Sequence, residues 1–233
     1  MPAEADLILI PGLLCTPTLY APQLAPLGAH ARVTIADHTR HASIPEIARD
    51  ILAGAPGRFA LCGLSMGGYI AFEILRQAPS RVTRLALLDT AAKPDTPERS
   101  AARRALVERA GRDGLAAISK SLLPQWIHPR RLKDAALVAI VGKMAADTGL
   151  DAFARQQTAI AGRADSRPGL AAITIPALVL VGRDDAATPV ADATEIASGI
   201  RGSRLRIIED CGHLSTLEQP AAVTAALGQW LES

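Results

Sequence analysis

The sequence predicts an α/β fold, a mostly parallel sheet flanked by helices and carrying a small helical insertion. Three observations predict it. The continuous apolar runs Leu7–Ile10, Phe59–Cys62 and Ala177–Val181 read as strands buried on both faces, the mark of parallel strands. Helix-patterned segments alternate with these runs, as they do when helices cover a parallel sheet. Between about residues 91 and 166 the strand pattern vanishes, and the alternation then resumes.

In chain order, the Leu7–Ile10 strand ends at Pro11-Gly12 and delivers a loop to Pro17. Leu19–Leu27 predicts a short helix interrupted by Pro22 and Pro26. Arg32–Ala36 is a second strand ending at Asp37. Ser43 is placed to cap a helix over Pro45–Ala53, whose Ile44, Ile47, Ala48 and Ile51 share one face. The Phe59 strand runs into Gly63-Leu64-Ser65-Met66-Gly67-Gly68. A helix follows from Met66 to Gln77, stopped by Pro79, and Val82–Leu88 is a fourth strand ending at Asp89. The intervening block predicts helices over Thr96–Ala110, around Leu115–Leu122 up to Pro124, around Leu137–Met144, and over Ala152–Ala161. After the Ala177 strand come a helix over Val190–Ser198, a strand over Arg204–Ile208, a loop through Gly212-His213, and a last helix over Pro220–Leu231. The expected organisation is a core of residues 1–90 and 167–233 with a helical insertion of 91–166.

The chain has 233 residues, of which 49% are apolar, and 25 basic residues stand against 23 acidic ones. The basic residues are scattered rather than gathered in a stripe, so no nucleic acid is expected as a partner. No apolar run is long enough to span a bilayer. Glu4 and Asp6 stand where a secretory leader would carry positive charge. A cytoplasmic protein is expected, with no membrane partner. Cys15, Cys62 and Cys211 lack CxxC spacing, which supports neither a disulfide framework nor a zinc site. No metal and no cofactor are expected.

The chemistry centres on Ser65. A strand, Gly-x-Ser-x-Gly and a helix in succession make a sharp turn that presents the serine at a helix N-terminus. There the Met66 N–H and the helix dipole face developing negative charge. In parallel sheets ligands bind beyond the carboxyl ends of strands. Asp184 and Asp185 follow the Ala177 strand, and His213 follows the Arg204 strand. A serine hydroxyl needs an imidazole to take its proton, and the imidazole needs a carboxylate to fix its tautomer. The order Ser65, acid, His213 fits that requirement. The other histidines, His30, His38, His41 and His128, read as surface or loop residues.

Four segments give the chain a family resemblance: Leu9-Ile10-Pro11-Gly12-Leu13-Leu14, the Ser65 turn, Gly182-Arg183-Asp184-Asp185-Ala186-Ala187-Thr188-Pro189, and Cys211-Gly212-His213-Leu214-Ser215 through Glu218-Gln219-Pro220. Together they resemble the α/β-hydrolase superfamily across essentially the whole chain, in its capped esterase- and lipase-like branch with a serine nucleophile. The resemblance implies a Ser65–His213–Asp185 triad, with Asp184 and then Asp89 as the alternative acids. It implies an oxyanion hole from the backbone N–H groups of Leu13 and Met66. It also implies that residues 91–166 form a cap. Trp126, Met144 and Phe153 are then candidate pocket-lining residues, with packing inside the cap as the commoner role for each, and Gln157 and Arg163 read as surface residues, with the pocket mouth and an anionic group as their alternative. Pro11 stands where the family commonly has histidine, and the loop from Asp37 to Ser43 lacks the usual glycines. Serine at position 65 argues against the aspartate-based dehalogenases and epoxide hydrolases of this fold and against the cysteine-based dienelactone hydrolases.

The activity these features imply is a serine hydrolase acting on a small carboxylic ester or lactone, with a small-molecule substrate as its partner. The same triad serves C–C bond hydrolases, lyases and prolyl aminopeptidases, and some members of the fold are low-turnover ligand receptors. Oligomeric state and acyl specificity have no motif in the sequence.

Overall fold

Strands β1 (Ala5–Ile10), β2 (Ala31–Ile35), β3 (Phe59–Leu64), β4 (Val82–Leu88), β5 (Ala177–Gly182) and β6 (Arg204–Ile208) form one sheet in the order β2-β1-β3-β4-β5-β6. Every neighbouring pair is parallel. The computed structural model describes residues 5–233, so Glu4 lies outside the described residues. Side chains alternate across the sheet. Leu7 and Leu9 enter one core with α1 (Ala21–Gly28) and α10 (Pro220–Glu232). Ile8 and Ile10 enter the other with α2 (Ile44–Gly54), α3 (Met66–Gln77) and α8 (Val190–Gly199). Both faces are therefore dry, which is why the strands read as unbroken apolar runs rather than alternating ones. Each such fully buried aliphatic side chain contributes about 1.5–3 kcal/mol of transfer free energy.

Between β4 and β5 lie α4 (Pro97–Asp113), α5 (Leu115–Trp126), α6 (Ala135–Thr148) and α7 (Leu150–Ala161). Their boundaries follow from capping. The Thr96 and Asp134 side chains accept hydrogen bonds from the N–H groups of Arg99 and Leu137, and Gly114 and Gly149, at φ +84° and +78°, turn the chain between helices. Ser43 caps α2 as expected, accepting from the Glu46 N–H. Two prolines behave differently from expectation. Pro26 lies inside α1 and Pro124 inside α5, near the ends of both helices. The carbonyls they leave without a donor belong to Pro22 and Lys120, both of which are exposed residues, so neither proline leaves its gap in the core.

Two glycines fix the geometry at the carboxyl end of β3. A Cβ on Gly67 would lie 2.1 Å from the Ile10 carbonyl oxygen, and one on Gly63 would lie 2.2 Å from the Gly67 oxygen. Only with both positions bare can the start of α3 close onto β1. Among the described residues no helix is long and apolar enough to cross a membrane.

Candidate active site

Ser65 follows β3 with φ +55° and ψ −113°, a conformation that non-glycine residues adopt only when their surroundings force it. The surroundings do so at both ends of the residue. Its N–H donates to the Leu88 oxygen at 2.9 Å, and its own oxygen accepts from the Thr90 hydroxyl at 2.8 Å. The side chain is thereby aimed off the sheet. Gly12, at the end of the β1 loop, lies against it: a Cβ there would be 3.3 Å from the Ser65 Cβ. The N–H groups of Leu13 and Met66 have no hydrogen-bond partner among the described residues, and both flank this serine.

The register of β3 to β6 brings the other predicted residues to the same edge. His213 Nε2 lies 2.9 Å from Ser65 Oγ, and His213 Nδ1 lies 2.8 Å from Asp185 Oδ2. Asp185 is held in turn. Its Oδ1 accepts from the N–H groups of Ala187 and Thr188 at 2.8 and 2.9 Å, and its Oδ2 from the Thr188 hydroxyl at 2.8 Å. Of the two adjacent acids the structure brings Asp185, not Asp184, to the histidine. Asp184 is 43% exposed and its carboxylate lies 3.4 Å from His128. Asp89 is fully buried but makes no hydrogen bond to His213; it accepts from the Gly182 N–H at 3.0 Å and from the Ser215 hydroxyl.

Burial pushes the His213 imidazole down, but the charge and hydrogen bond of Asp185, reinforced by Asp89 and Glu218, outweigh it and leave the pKa above the ordinary value. Burial, with the charge of Asp185, drives the Asp89 carboxyl well upward. The histidine loop has its own anchor, Glu218 at the end of α9 (Ser215–Glu218). The Glu218 carboxylate accepts from the N–H groups of Gly212, Leu214 and His128, while the N–H groups of His213 and Leu214 both donate to the Trp126 oxygen. The sequence motif contained Glu218 but not this role.

Ser65 and His213 open into a cavity of about 460 Å³, within the usual range for a small-molecule site. Trp126 lines it, together with Leu13, Tyr69 and residues of α4. The other two candidates take the packing role instead. Met144 and Phe153 are buried in the apolar cluster beneath α4–α7, because the faces that carry them turn toward neighbouring helices. Gln157 and Arg163, read as surface residues, are buried instead, and Gln157, as its alternative reading had it, lines the cavity while Arg163 does not. Arg163 stacks on the Tyr69 ring at 4.4 Å and pairs at 2.6 Å with Asp95, whose carboxylate also receives Arg103. Burial alone would raise the Asp95 pKa, but the two guanidinium groups hold it below the ordinary carboxylate range. Arg103 reaches on to Gln157 Oε1 at 2.8 Å.

Two of the histidines read as surface or loop residues stand in loops but are buried. His128 caps a short turn, and its backbone N–H is held by Glu218. His38 is 2% exposed, and its Nε2 lies 2.9 Å from the Gly12 oxygen and 3.0 Å from the Gln156 amide nitrogen. Burial keeps its imidazole below the ordinary pKa, hence neutral near pH 7. The three cysteines are buried and unpaired, and burial pushes the Cys15 and Cys62 thiols up to about 12.

The chain as a whole is similar to known proteins. Over 169 residues the chain is 33% identical to 3-oxoadipate enol-lactonase 2 of Acinetobacter baylyi, a stretch covering 71% of this chain and 61% of that relative's length. A thermophilic esterase from Thermogutta terrifontis superposes with a TM-score of 0.90 at 30% identity, over 99% of this chain and 90% of the other. The enol-lactonase from Burkholderia xenovorans LB400 superposes with a TM-score of 0.87 at 28% identity, over 99% of this chain and 93% of the other. The model of the alpha/beta hydrolase family matches residues 7–227, so nearly every element of the sheet and its flanking helices falls inside the match. The chain belongs to the alpha/beta hydrolase family.

Proposed function

We propose that the chain is a serine hydrolase that cleaves a small carboxylic ester or lactone through an acyl-enzyme on Ser65. The observation that carries this reading is the unbroken line from Ser65 Oγ through His213 to Asp185, at 2.9 and 2.8 Å, opening into the cavity. The esterase and enol-lactonase relatives support it. His213 Nε2 takes the Ser65 proton as Oγ attacks the carbonyl carbon. The Leu13 and Met66 N–H groups receive the oxyanion, each such donor being worth about 10²–10³ in rate. Collapse breaks the ester bond and expels the alcohol, which takes its proton from His213; in a lactone the alcohol stays tethered to the acyl group. A water deprotonated by His213 then attacks the acyl carbon, and the second collapse breaks the bond to Ser65 Oγ, which takes the proton back from His213 as the acid is released.

The insertion of residues 91–166 serves as the cap, since α4 and α5 supply much of the cavity lining. Three free cysteines fit a reducing, cytoplasmic setting. A fluorophosphonate is expected to add to the Ser65 peptide and to no other, read as a mass shift. An unlabelled Ser65 in folded protein would overturn the activated-serine reading. Rapid labelling with uniformly slow turnover of a nitrophenyl ester panel would favour the receptor alternative.

The lining also indicates the substrate's charge. Arg99, Arg103 and Arg109 face the cavity from α4, and among the described residues no aspartate or glutamate does. Arg103 is already paired with Asp95, whereas Arg99 makes only a 3.4 Å bond to the Ala187 oxygen and is available to a ligand. A hemi-ester of a short dicarboxylic acid is expected to be preferred over its neutral methyl analogue. Arg99→Ala should reduce that preference about 3- to 10-fold, mainly through KM, as expected for an exposed charge contact. Equal kcat/KM for charged and neutral esters in the parent enzyme would remove the case for an anionic substrate.

A further inference from the structure

We infer that Gln156 and His38 are positioning residues that aim the Leu13 N–H at the reacting carbonyl, so that α7 of the insertion completes the oxyanion hole. The inference rests on the Ser65 hydrolase reading and adds the means by which one of its two donors is held in place.

The Leu13 N–H belongs to the peptide unit whose carbonyl is that of Gly12. In a planar trans peptide the two point in opposite directions, so whatever fixes the Gly12 oxygen also fixes where the Leu13 N–H points. The Gly12 oxygen accepts from the Cys15 N–H at 3.1 Å and lies 2.9 Å from His38 Nε2. The next peptide unit is also held. The Leu13 oxygen accepts from the Cys15 thiol at 3.4 Å, and the Leu14 N–H donates to Gln156 Oε1 at 3.1 Å. Leu14 itself has φ +57°, a conformation that its leucine side chain does not favour and that outside contacts must maintain. Both peptide units around Leu13 are thus tied from outside the loop, while the Leu13 N–H is left without a partner among the described residues.

These ties come from two other places in the fold. His38 stands in the loop after β2, and Gln156 stands on α7, fully buried. His38 Nε2 lies between the Gly12 oxygen and the Gln156 amide nitrogen at 2.9 and 3.0 Å. With its proton on Nε2, His38 donates to the Gly12 oxygen and holds the first peptide unit, while Gln156 holds the second through the Leu14 N–H. The Gln156 amide nitrogen donates to that Nε2 only in the other tautomer, which gives up the Gly12 bond. The neighbouring Arg155 donates from Nε to the Thr39 oxygen at 2.9 Å, so α7 also holds the loop that carries His38. A full buried amide between α7 and the β1 loop would be a poor choice for packing alone, because every polar atom it brings must find a partner. Here the partners are the backbone atoms that set the donor. Lifting α7 away would release Leu14 and His38 together and disable the hole without disturbing Ser65.

Gln156→Met preserves the volume and removes the acceptor. It is expected to lower kcat about 10- to 100-fold with KM within about 3-fold, since misplacing a donor by about 1 Å can cost 10²-fold. Affinity for a trifluoromethyl ketone of the best ester, which forms the oxyanion, should fall by the same factor, while the carboxylate product should bind unchanged. Gln156→Glu, whose buried carboxyl stays protonated and again offers a C=O to Leu14, should recover most of the kcat. A purely structural role would instead lower thermal stability and move kcat and KM together, with no selective recovery. If Gln156→Met does not fold, His38→Phe gives the same kcat-against-KM split. Parent-like kcat in a folded Gln156→Met, beside an inactive Ser65→Ala, would overturn the positioning role alone. An active Ser65→Ala would overturn the hydrolase reading and this inference with it.

Discussion

Ser65→Ala is expected to lower kcat for ester turnover by about 10⁴- to 10⁶-fold while leaving the fold and the cavity in place. The loss is large because no second group can take over. The three thiols near the site are buried, and burial pushes Cys15 and Cys62 up to about 12 and Cys211 upward as well, so none supplies a thiolate near neutral pH. The fold survives because His213 is held from its other side, by Asp185 at 2.8 Å and by its N–H on the Trp126 oxygen at 3.0 Å. The backbone gives a second, independent readout. Ser65 sits at φ +55°, which costs about 1–3 kcal/mol in a non-glycine residue. Glycine removes that strain but adds about 0.4–1 kcal/mol of unfolded-state entropy to be lost. Ser65→Gly should therefore be inactive yet melt about 2–4 °C above Ser65→Ala, a shift of about 1 kcal/mol for a chain of this size. Residual activity above about 1% in either variant, with contamination excluded by the absence of fluorophosphonate labelling, would mean the nucleophile lies elsewhere. A Gly variant that melts below the Ala variant would mean the turn holds no strain.

How far such a site can be read from sequence depends on how local its signals are. The strands were legible because burial on both faces leaves unbroken apolar runs, and the Ser65 turn because Gly63 and Gly67 have no room for a side chain. Asp185 and His213 were legible because strand ends in a parallel sheet converge on one edge, whatever the rest of the chain does. Gln156 was not legible. Its partners are 142 and 118 residues away, and a glutamine on a helix reads as surface unless the crossing helix is known. The same holds for His38 and for the Asp95–Arg103–Arg163 cluster, whose charges are paired in the interior. Met144 and Phe153 illustrate the complementary failure. Periodicity identifies a buried face, but not whether a cavity or another helix buries it. The residues most open to misreading are thus those of the insertion.

Asp185→Asn is expected to cost about 10⁴-fold in kcat, whereas Asp184→Asn should stay within about 2-fold. The reason lies in the donors around Asp185. Its Oδ1 faces two backbone N–H groups, of Ala187 and Thr188, which an amide nitrogen cannot accept from. An asparagine must therefore place its oxygen there and turn its NH₂ toward His213 Nδ1. The imidazole then accepts at Nδ1 and carries its proton on Nε2, the tautomer that cannot take a proton from Ser65. Asp184, half in solvent beside His128, has no such role. The pH dependence separates this account from simple loss of charge. In the parent enzyme, burial lowers the His213 pKa, but Asp185, then Asp89 and Glu218, raise it above its unfolded value near 6.5. kcat/KM should therefore rise with pH through a midpoint above about 6.5, as the imidazole becomes neutral. The contribution of the His213–Asp185 pair to stability runs the other way. It is fully present below the unfolded histidine pKa and is lost as pH rises through the higher folded one. The parent should thus lose melting temperature relative to Asp185→Asn as pH is raised from 6 to 9, over the range in which it gains activity. Parallel melting curves for the two proteins across that range, or an Asp184→Asn variant more damaged than Asp185→Asn, would show that Asp185 is not the group that sets the state of His213.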